Sequence, residues 1–227
     1  MRWRLKLLNG NKLSSWLRAE RMGQEKPQTP CSMPQAKILS SFMKNVSIIS
    51  ASVRLGRKSH RVALYLKNYL EENKIADPEI IDLAELNFPI FEERLRLMPN
   101  PSQEALAFAD QIKATGAIII VSPEYNGGYP ASLKNVIDLL YPEWKRKPIA
   151  ICTVSEGAFG GTQVITSLQF TLWKIGALTV PAMFPIATVE KTFDEKGQPS
   201  DPITTNKRAA VFINELVWWT EAVKRMA

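Results

Sequence analysis

The sequence predicts an α/β protein in which helices cover both faces of a five-stranded parallel sheet. Short apolar runs alternate with amphipathic helical patterns from Val46 to the last residues of the chain, and such alternation is typical of βαβ units. Three of these runs end in polar, glycine-containing loops that lead directly into a helix. Because βαβ crossovers are right-handed, they place helices on both faces, which gives a doubly wound sheet.

The first two strands and helices are read from periodicity and from the residues that begin and end each element. Val46–Ser50 is a short apolar run, and a helical pattern follows over Ser59–Asn73. Glu79–Leu83 is the second expected strand. A loop with three prolines, Asn87–Pro101, then leads to a helix over Ser102–Thr115. The serine at the start of this helix is a favourable N-cap residue.

The next two strand–helix units show the strongest patterns in the chain. Ala117–Ser122 is rich in isoleucine and predicts a buried central strand, followed by a helix over Ser132–Tyr141. Pro148–Ser155 predicts the fourth strand, and a helix over Thr162–Ile175 follows it. Gly176 stands where a helix stop is expected.

The last strand is expected to come from two pieces, Leu178–Val180 and Ile186–Val189. A polar loop, Glu190–Pro202, separates them from a final amphipathic helix over Thr204–Lys224. We expect the strand order 2-1-3-4-5, in which the first and third strands are neighbours. The loops that follow those two strands then meet at the point where the strand order reverses. Sheets of this type usually bind their ligands there.

The loop after the first strand, residues 51–59, carries groups that suit a phosphate. Ser52 and Ser59 offer hydroxyl donors, and Arg54 and Arg57 offer guanidinium groups. A strand, a polar loop and a helix in succession aim backbone N–H groups at an anion. The loop has neither a Walker A nor a G-x-G-x-x-G motif. It therefore predicts a site for a lone phosphate, as in a mononucleotide.

Not every charge in this loop is needed for a ligand. We favour Arg54 as the phosphate ligand, since Arg57 and Lys58 could equally be solvated surface charges. His60, the single histidine, could cap the helix, contact the phosphate or be a surface residue at the helix start.

The loop after the third strand is rich in proline, glycine and aromatic residues. It reads Pro123-Glu124-Tyr125-Asn126-Gly127-Gly128-Tyr129-Pro130. Glycine lets a backbone approach a ligand closely, and Tyr125 offers a flat face. The alternative is a hairpin-like turn that only joins two core elements.

A third loop, Ser155–Thr162, follows the fourth strand and contains Gly157, Gly160 and Gly161. It again suggests close approach of backbone to a ligand. Taken alone it could be a flexible connector, but it is the third such loop at a strand end.

Two of these loops resemble the NADPH-dependent FMN reductase family over roughly residues 44–190. The resemblance lies in the Pro-Glu-Tyr-Asn-Gly string at residues 123–127, Pro130, the Leu-Lys-Asn-Val-Ile-Asp run at residues 133–138, and the Ser-x-Arg loop at residues 52–54. Two positions depart from it. Ala51-Ser52 stands where many members have Gly-Ser, and His60 where they have asparagine.

The resemblance implies a flavodoxin-like fold that binds FMN. It implies an enzyme in which NADPH delivers hydride to the flavin N5 and electrons then pass to a second acceptor, which could be a flavin, a quinone, an azo compound or a metal ion. No side chain need act as general acid or base, because the cofactor carries the chemistry. The implied cofactor-binding residues are Ser52, Arg54, Arg57, Ser59, His60, Pro123, Glu124, Tyr125, Asn126, Gly127, Ser155, Glu156, Gly157 and Gly160.

Two other functions remain open at this point. One is a flavodoxin-like FMN electron carrier without NADPH turnover, although such carriers are usually acidic. The other is a flavin-free binding domain on the same fold, which would have no need of Ser52 and Arg54.

The charge of the chain is concentrated at its N-terminus. Residues 1–42 hold eight basic and two acidic residues, whereas residues 43–227 hold 21 basic and 20 acidic ones. The overall +7 therefore gives no argument for nucleic-acid binding. We expect residues 1–42 to be a basic extension and residues 43–227 to be the reductase domain. The extension could reflect a start at Met43, a basic leader or an ordered arm, and we favour the first.

The remaining composition predicts a cytoplasmic protein without a metal site or a membrane span. Two cysteines make no disulfide framework, and one histidine leaves few metal sites. No apolar run has the length of a membrane-spanning helix. Trp218, Trp219, Phe88, Phe91 and Leu95 would be a large apolar surface for a monomer. The resemblance implies a homodimer or homotetramer, unless these side chains cover the sheet.

Overall fold

A computed structural model describes residues 43–226 and contains the predicted sheet. The strands are β1 (Met43–Ser50), β2 (Ala76–Asp82), β3 (Ala117–Pro123), β4 (Pro148–Val154) and β5 (Leu178–Ile186). Their order is β2-β1-β3-β4-β5, and every neighbouring pair is parallel. The predicted fold class and strand order are confirmed.

Seven α-helices accompany the strands in the described part of the chain. They are α1 (Ser59–Glu72), α2 (Leu83–Leu86), α3 (Gln103–Ala114), α4 (Ala131–Leu139), α5 (Gln163–Lys174), α6 (Val189–Thr192) and α7 (Pro202–Met226). Two 3₁₀ turns, Leu95–Leu97 and Pro142–Trp144, lie in the connections. None of the helices in residues 43–226 is long and apolar enough to cross a membrane.

The helices form one apolar core on each face of the sheet. On one face α1 and α7 bury residues such as Leu66 and Phe212 against the strands. On the other face α3, α4 and α5 bury residues such as Phe108 and Leu168. Along β3 the side chains alternate between the two cores, with Ile118 in one and Ile119 in the other. A central strand that is buried on both faces explains the unbroken apolar run in the sequence.

The two edge strands are longer than the sequence predicts. β2 begins at Ala76 and includes Pro78. β5 includes Pro181 and Pro185, and its register against β4 shifts between Thr179 and Met183. Proline cannot donate a hydrogen bond to a sheet ladder, and the predicted strands leave out Pro78, Pro181 and Pro185. An edge strand has a solvent-facing side where no donor is needed, so proline is compatible with these positions.

The turn at residues 194–198 packs against α1. The Asp194 carboxylate accepts hydrogen bonds from the N–H groups of Lys196 and Gln198. Gly197 has a φ of +79°, and a Cβ placed on it would lie 2.6 Å from the Arg61 carbonyl oxygen and 2.7 Å from the Tyr65 nitrogen. The turn therefore lies directly on the backbone of α1, where only glycine fits.

Candidate active site

The predicted loops meet at the carboxyl edge of the sheet and enclose a pocket of ≈ 550 Å³. The loops after β1, β3 and β4 supply most of its wall, and Val189 at the start of α6 completes it. Ten of the fourteen predicted site residues line the pocket: Ser52, Arg54, Arg57, Ser59, Pro123, Glu124, Tyr125, Ser155, Glu156 and Gly157. The other four, His60, Asn126, Gly127 and Gly160, are not among the residues that line it.

The end of the pocket at the start of α1 is suited to an anion. No side chain caps this helix at Lys58, so its first N–H groups are not satisfied by a capping residue. The Ser59 hydroxyl is buried and has no hydrogen-bond partner among residues 43–226. Ser52 is also buried. A buried hydroxyl without a partner is rare in native structures, and an anion at the helix start would satisfy it.

Arg57 is held beneath this loop. Its guanidinium forms a two-pronged pair with the Asp82 carboxylate at the end of β2 and donates through Nη1 to the Ser52 carbonyl oxygen at 2.8 Å. Burial alone would raise the pKa of Asp82. Arg57 and the Ala84 N–H overcome that effect and hold the pKa below its ordinary value. The alternative that Arg57 is a solvated charge is wrong, and Arg54 remains the exposed arginine of the loop.

His60 faces away from the pocket. Its Nδ1 lies 3.1 Å from the Ser50 hydroxyl and 3.5 Å from the Asp82 carboxylate. Burial lowers the pKa of His60 despite the attraction of Asp82, so the ring is neutral at neutral pH. His60 is therefore part of the cluster beneath the loop, a placement that none of the sequence-based alternatives included.

The loop after β3 is a tight turn over residues 125–128. Tyr125 and Gly128 exchange two backbone hydrogen bonds of 2.8 and 3.1 Å. Asn126 and Gly127 between them have φ of +53° and +81°, as the Asn-Gly turn of a hairpin requires. The hairpin-like alternative is thus right about the local shape. The same turn directs the Tyr125 hydroxyl to 2.6 Å from the Ser52 hydroxyl, across the pocket.

The loop after β4 is pressed against the sheet by its paired glycines. A Cβ on Gly160 would lie 3.1 Å from the Pro185 side chain, and one on Gly161 would lie 3.1 Å from the Val154 carbonyl oxygen. These glycines allow close approach to β4 and β5. Gly157 and Phe159 line the pocket, and Phe159 is 83% exposed.

Lys58 joins two walls of the pocket. Its ammonium group lies 2.9 Å from Glu156 in the loop after β4 and 2.7 Å from Glu190 in α6. Hydrogen bonds to Glu190 and Glu156 raise the pKa of Lys58. Lys58 is thus a paired charge at the surface of the pocket wall.

Sequence reasoning missed Asp82 and Glu190. Asp82 was only the polar end of an edge strand, and Glu190 was placed in a polar loop. The partners are far apart in sequence, at 25 residues for Arg57 and Asp82 and 132 for Lys58 and Glu190. The position of Asp82 at the carboxyl end of a strand next to β1 was the one available signal.

The fold and the pocket together define a mononucleotide-binding protein of the flavodoxin-like class. One end of the pocket presents hydroxyls and arginine to an anion. The other presents an aromatic ring and glycine-containing turns, which suit a flat ring system. The site lies where such sheets bind ligands.

The comparisons with known proteins identify the family. The model of the NADPH-dependent FMN reductase family matches residues 44–191, and the chain belongs to this family. An NAD(P)H-dependent FMN reductase of Saccharomyces cerevisiae is 35% identical over 140 residues, covering 56% of this chain and 72% of the relative. A quinone reductase of Pseudomonas putida is 32% identical over 188 residues, covering 80% and 97%.

A solved structure shows the same fold. It is FerB, a flavoenzyme NAD(P)H:(acceptor) oxidoreductase from Paracoccus denitrificans, with a TM-score of 0.64 and 22% identity over 79% of this chain and 98% of that chain. The protein is accordingly an FMN-dependent NAD(P)H oxidoreductase, with FMN and NADPH as its cofactors. The family and these relatives are reductases, which favours the enzyme over the electron carrier.

Proposed function

We propose that the pocket holds FMN with its phosphate at the start of α1 and its ring system beside the loops after β3 and β4. The observation that carries this orientation is the buried Ser59 hydroxyl without a partner. Ser52, Ser59 and Arg54 hold the phosphate. Bound FMN supplies the hydride-accepting N5 atom and passes electrons onward.

The remaining predicted residues shape the pocket or line the ring. Pro123, Glu124 and Tyr125 contact the ring from the turn after β3, and Ser155, Glu156 and Gly157 contact it from the loop after β4. Asn126, Gly127 and Gly160 act by setting the shape of these loops. The other face of the ring stays open to NADPH and to the acceptor.

The second substrate is a small-molecule electron acceptor, and a quinone is the first candidate. The support is the quinone reductase of Pseudomonas putida, which matches 80% of this chain. The test is anaerobic. Purified protein should be yellow, NADPH should bleach it, and a quinone should restore the colour. A yellow protein that NADPH does not bleach would favour the electron carrier.

Glu124→Gln should leave the rate of flavin reduction by NADPH within about threefold of wild type. Glu124 is half-buried on the pocket wall, and the geometry asks no proton transfer of it. Stopped-flow absorbance under anaerobic conditions measures this step, with Glu92→Gln as the control for loss of one carboxylate elsewhere. A several-hundredfold loss at full FMN occupancy would mean that the carboxylate takes part directly.

A chain that begins at Met43 should fold and bind FMN like the full chain. Residues 43–226 contain the whole sheet, both apolar cores and the pocket. FMN content and the midpoint of thermal unfolding are the measurements. Aggregation or loss of FMN in the shorter chain would make residues 1–42 an integral part of the protein.

We further propose a cytoplasmic homodimer or homotetramer. Phe88, Leu95 and Trp219 pack against the two cores, so they cover the sheet as the alternative expected. Trp218 remains 55% exposed, and Ile90 beside Phe88 is 87% exposed. Sedimentation of the full chain tests the assembly, and cell fractionation tests the location.

A further inference from the structure

We propose that Asp82 is a positioning residue for the cofactor phosphate, acting through Arg57. Asp82 does not line the pocket, whereas Arg57 and Ser52 do. The carboxylate fixes the guanidinium, and the guanidinium fixes the main chain of the phosphate loop at Ser52. The inference rests on the proposed placement of the phosphate at the start of α1.

The position of Asp82 is set by the sheet. It is the last residue of β2 and is paired in register with Ser50, the last residue of β1. Its side chain is 6% exposed, and that of Arg57 is 20% exposed. The loop after β1 leaves the sheet next to Asp82 and turns back above it, so Arg57 ties the loop to a rigid strand end.

Arg57 is shared between that strand end and the loop. Both terminal nitrogens of its guanidinium contact the two Asp82 oxygens, and Nη1 also donates to the Ser52 carbonyl oxygen at 2.8 Å. Planar, two-pronged pairing of this kind fixes orientation as well as distance. The backbone of Arg57 also stabilises the loop, because its backbone N–H donates a hydrogen bond to the Arg54 carbonyl oxygen at 3.2 Å.

The consequence for the ligand runs through Ser52 and Arg54. With its carbonyl held by Arg57, Ser52 keeps its hydroxyl 2.6 Å from the Tyr125 hydroxyl and 3.4 Å from the Arg54 N–H. These contacts favour one arrangement of the loop before the phosphate enters, which lowers the ordering cost of binding. Because Arg57 is committed to Asp82, Arg54 is the arginine that can reach the phosphate.

Asp82→Asn tests this with little other change. Asparagine keeps the shape of the side chain and can still cap α2 by accepting the Ala84 N–H, which lies 3.0 Å from Asp82. It removes the charge and one acceptor that Arg57 needs. Arg57→Gln breaks the same contact at Arg57, whose side chain is the more exposed of the two. Glu85→Gln is the control, because Glu85 is exposed and forms no ion pair in residues 43–226.

The measurement is the affinity of the apoprotein for FMN and for riboflavin, which lacks the phosphate, followed by flavin fluorescence. We expect Asp82→Asn and Arg57→Gln each to weaken FMN binding roughly tenfold and to leave riboflavin binding unchanged. The double variant should be no weaker than Arg57→Gln alone, because the loss of Arg57 already removes the contact that Asp82→Asn weakens. Glu85→Gln should behave as wild type.

The outcomes distinguish the role of Asp82 from the phosphate placement. A wild type that binds FMN no better than riboflavin overturns the phosphate placement itself. A wild type that prefers FMN, with unchanged FMN affinity in both single variants, overturns only the role of Asp82. Equal losses for FMN and riboflavin also overturn it, since they indicate general disruption. If Asp82→Asn does not fold, Arg57→Lys replaces it, because lysine keeps the positive charge but cannot pair with both Asp82 oxygens. Unchanged FMN affinity in Arg57→Lys then overturns the role of Asp82.

Discussion

Replacing Gly197 by alanine should lower the free energy of unfolding of the apoprotein by about 2–5 kcal/mol. The new Cβ would lie 2.6 Å from the Arg61 carbonyl oxygen and 2.7 Å from the Tyr65 nitrogen, which belong to the backbone of α1. Forcing the turn and helix apart typically costs about 1–3 kcal/mol. Alanine at a φ of +79° adds about 1–2 kcal/mol. Such a loss is a large fraction of the roughly 5–15 kcal/mol that holds a domain folded.

Two other glycines separate these causes. Gly56 has a φ of +67°, but a Cβ added to it would meet nothing within 4 Å, so Gly56→Ala should cost only the backbone term of about 1–2 kcal/mol. Gly157 has neither constraint, and Gly157→Ala should lie within about 0.5 kcal/mol of wild type. Urea unfolding followed by circular dichroism measures all three. A Gly197→Ala loss equal to that of Gly56→Ala would mean that the turn moves away from α1 at no cost.

Replacing Arg54 by alanine should weaken FMN binding by roughly tenfold to a hundredfold. Arg54 is exposed and lines the pocket at its anion-binding end, where its guanidinium can pair with phosphate oxygens. A hydrogen bond to a charged group is typically worth about 1.5–3 kcal/mol, which converts to this range of dissociation constants. Fluorescence titration of the apoprotein is the measurement.

Arg225→Ala is the control. It removes an exposed arginine on the last turn of α7 that does not line the pocket, and it should leave FMN affinity unchanged. Riboflavin affinity should be unchanged in both variants, because riboflavin has no phosphate to lose contact with. Unchanged FMN affinity in Arg54→Ala would remove Arg54 from the site.

The sheet was predictable because its central strands carry an unbroken local signal. The isoleucines of β3 identify a strand that is buried on both faces, and glycine-containing loops show where three strands end. The edges were less predictable. Pro78 and Pro185 suggest an interruption when read locally, and only the position of a strand in the finished sheet shows that proline is tolerated there.

The loops of the site were also predictable from local sequence signals. The ion pairs that connect them to other elements were not. A single sequence shows that Arg57 and Lys58 are basic, but not that Asp82 lies under one and Glu190 beside the other. Those contacts depend on strand order and on the path of α6. The sequence therefore located the ligand-facing loops but left out the side chains that hold them in place.

The prolines of β2 and β5 also bear on how copies of this protein can meet. A strand added at either margin of the sheet would need a continuous row of backbone donors. Pro78 on one side and Pro181 and Pro185 on the other interrupt that row. Edge-to-edge extension of the sheet from one subunit into the next is thereby disfavoured, as is the runaway stacking that leads to fibrils. Copies of the protein are then favoured to associate through their helices and loops. The pocket at the carboxyl edge of the sheet would not be affected by pairing between edge strands.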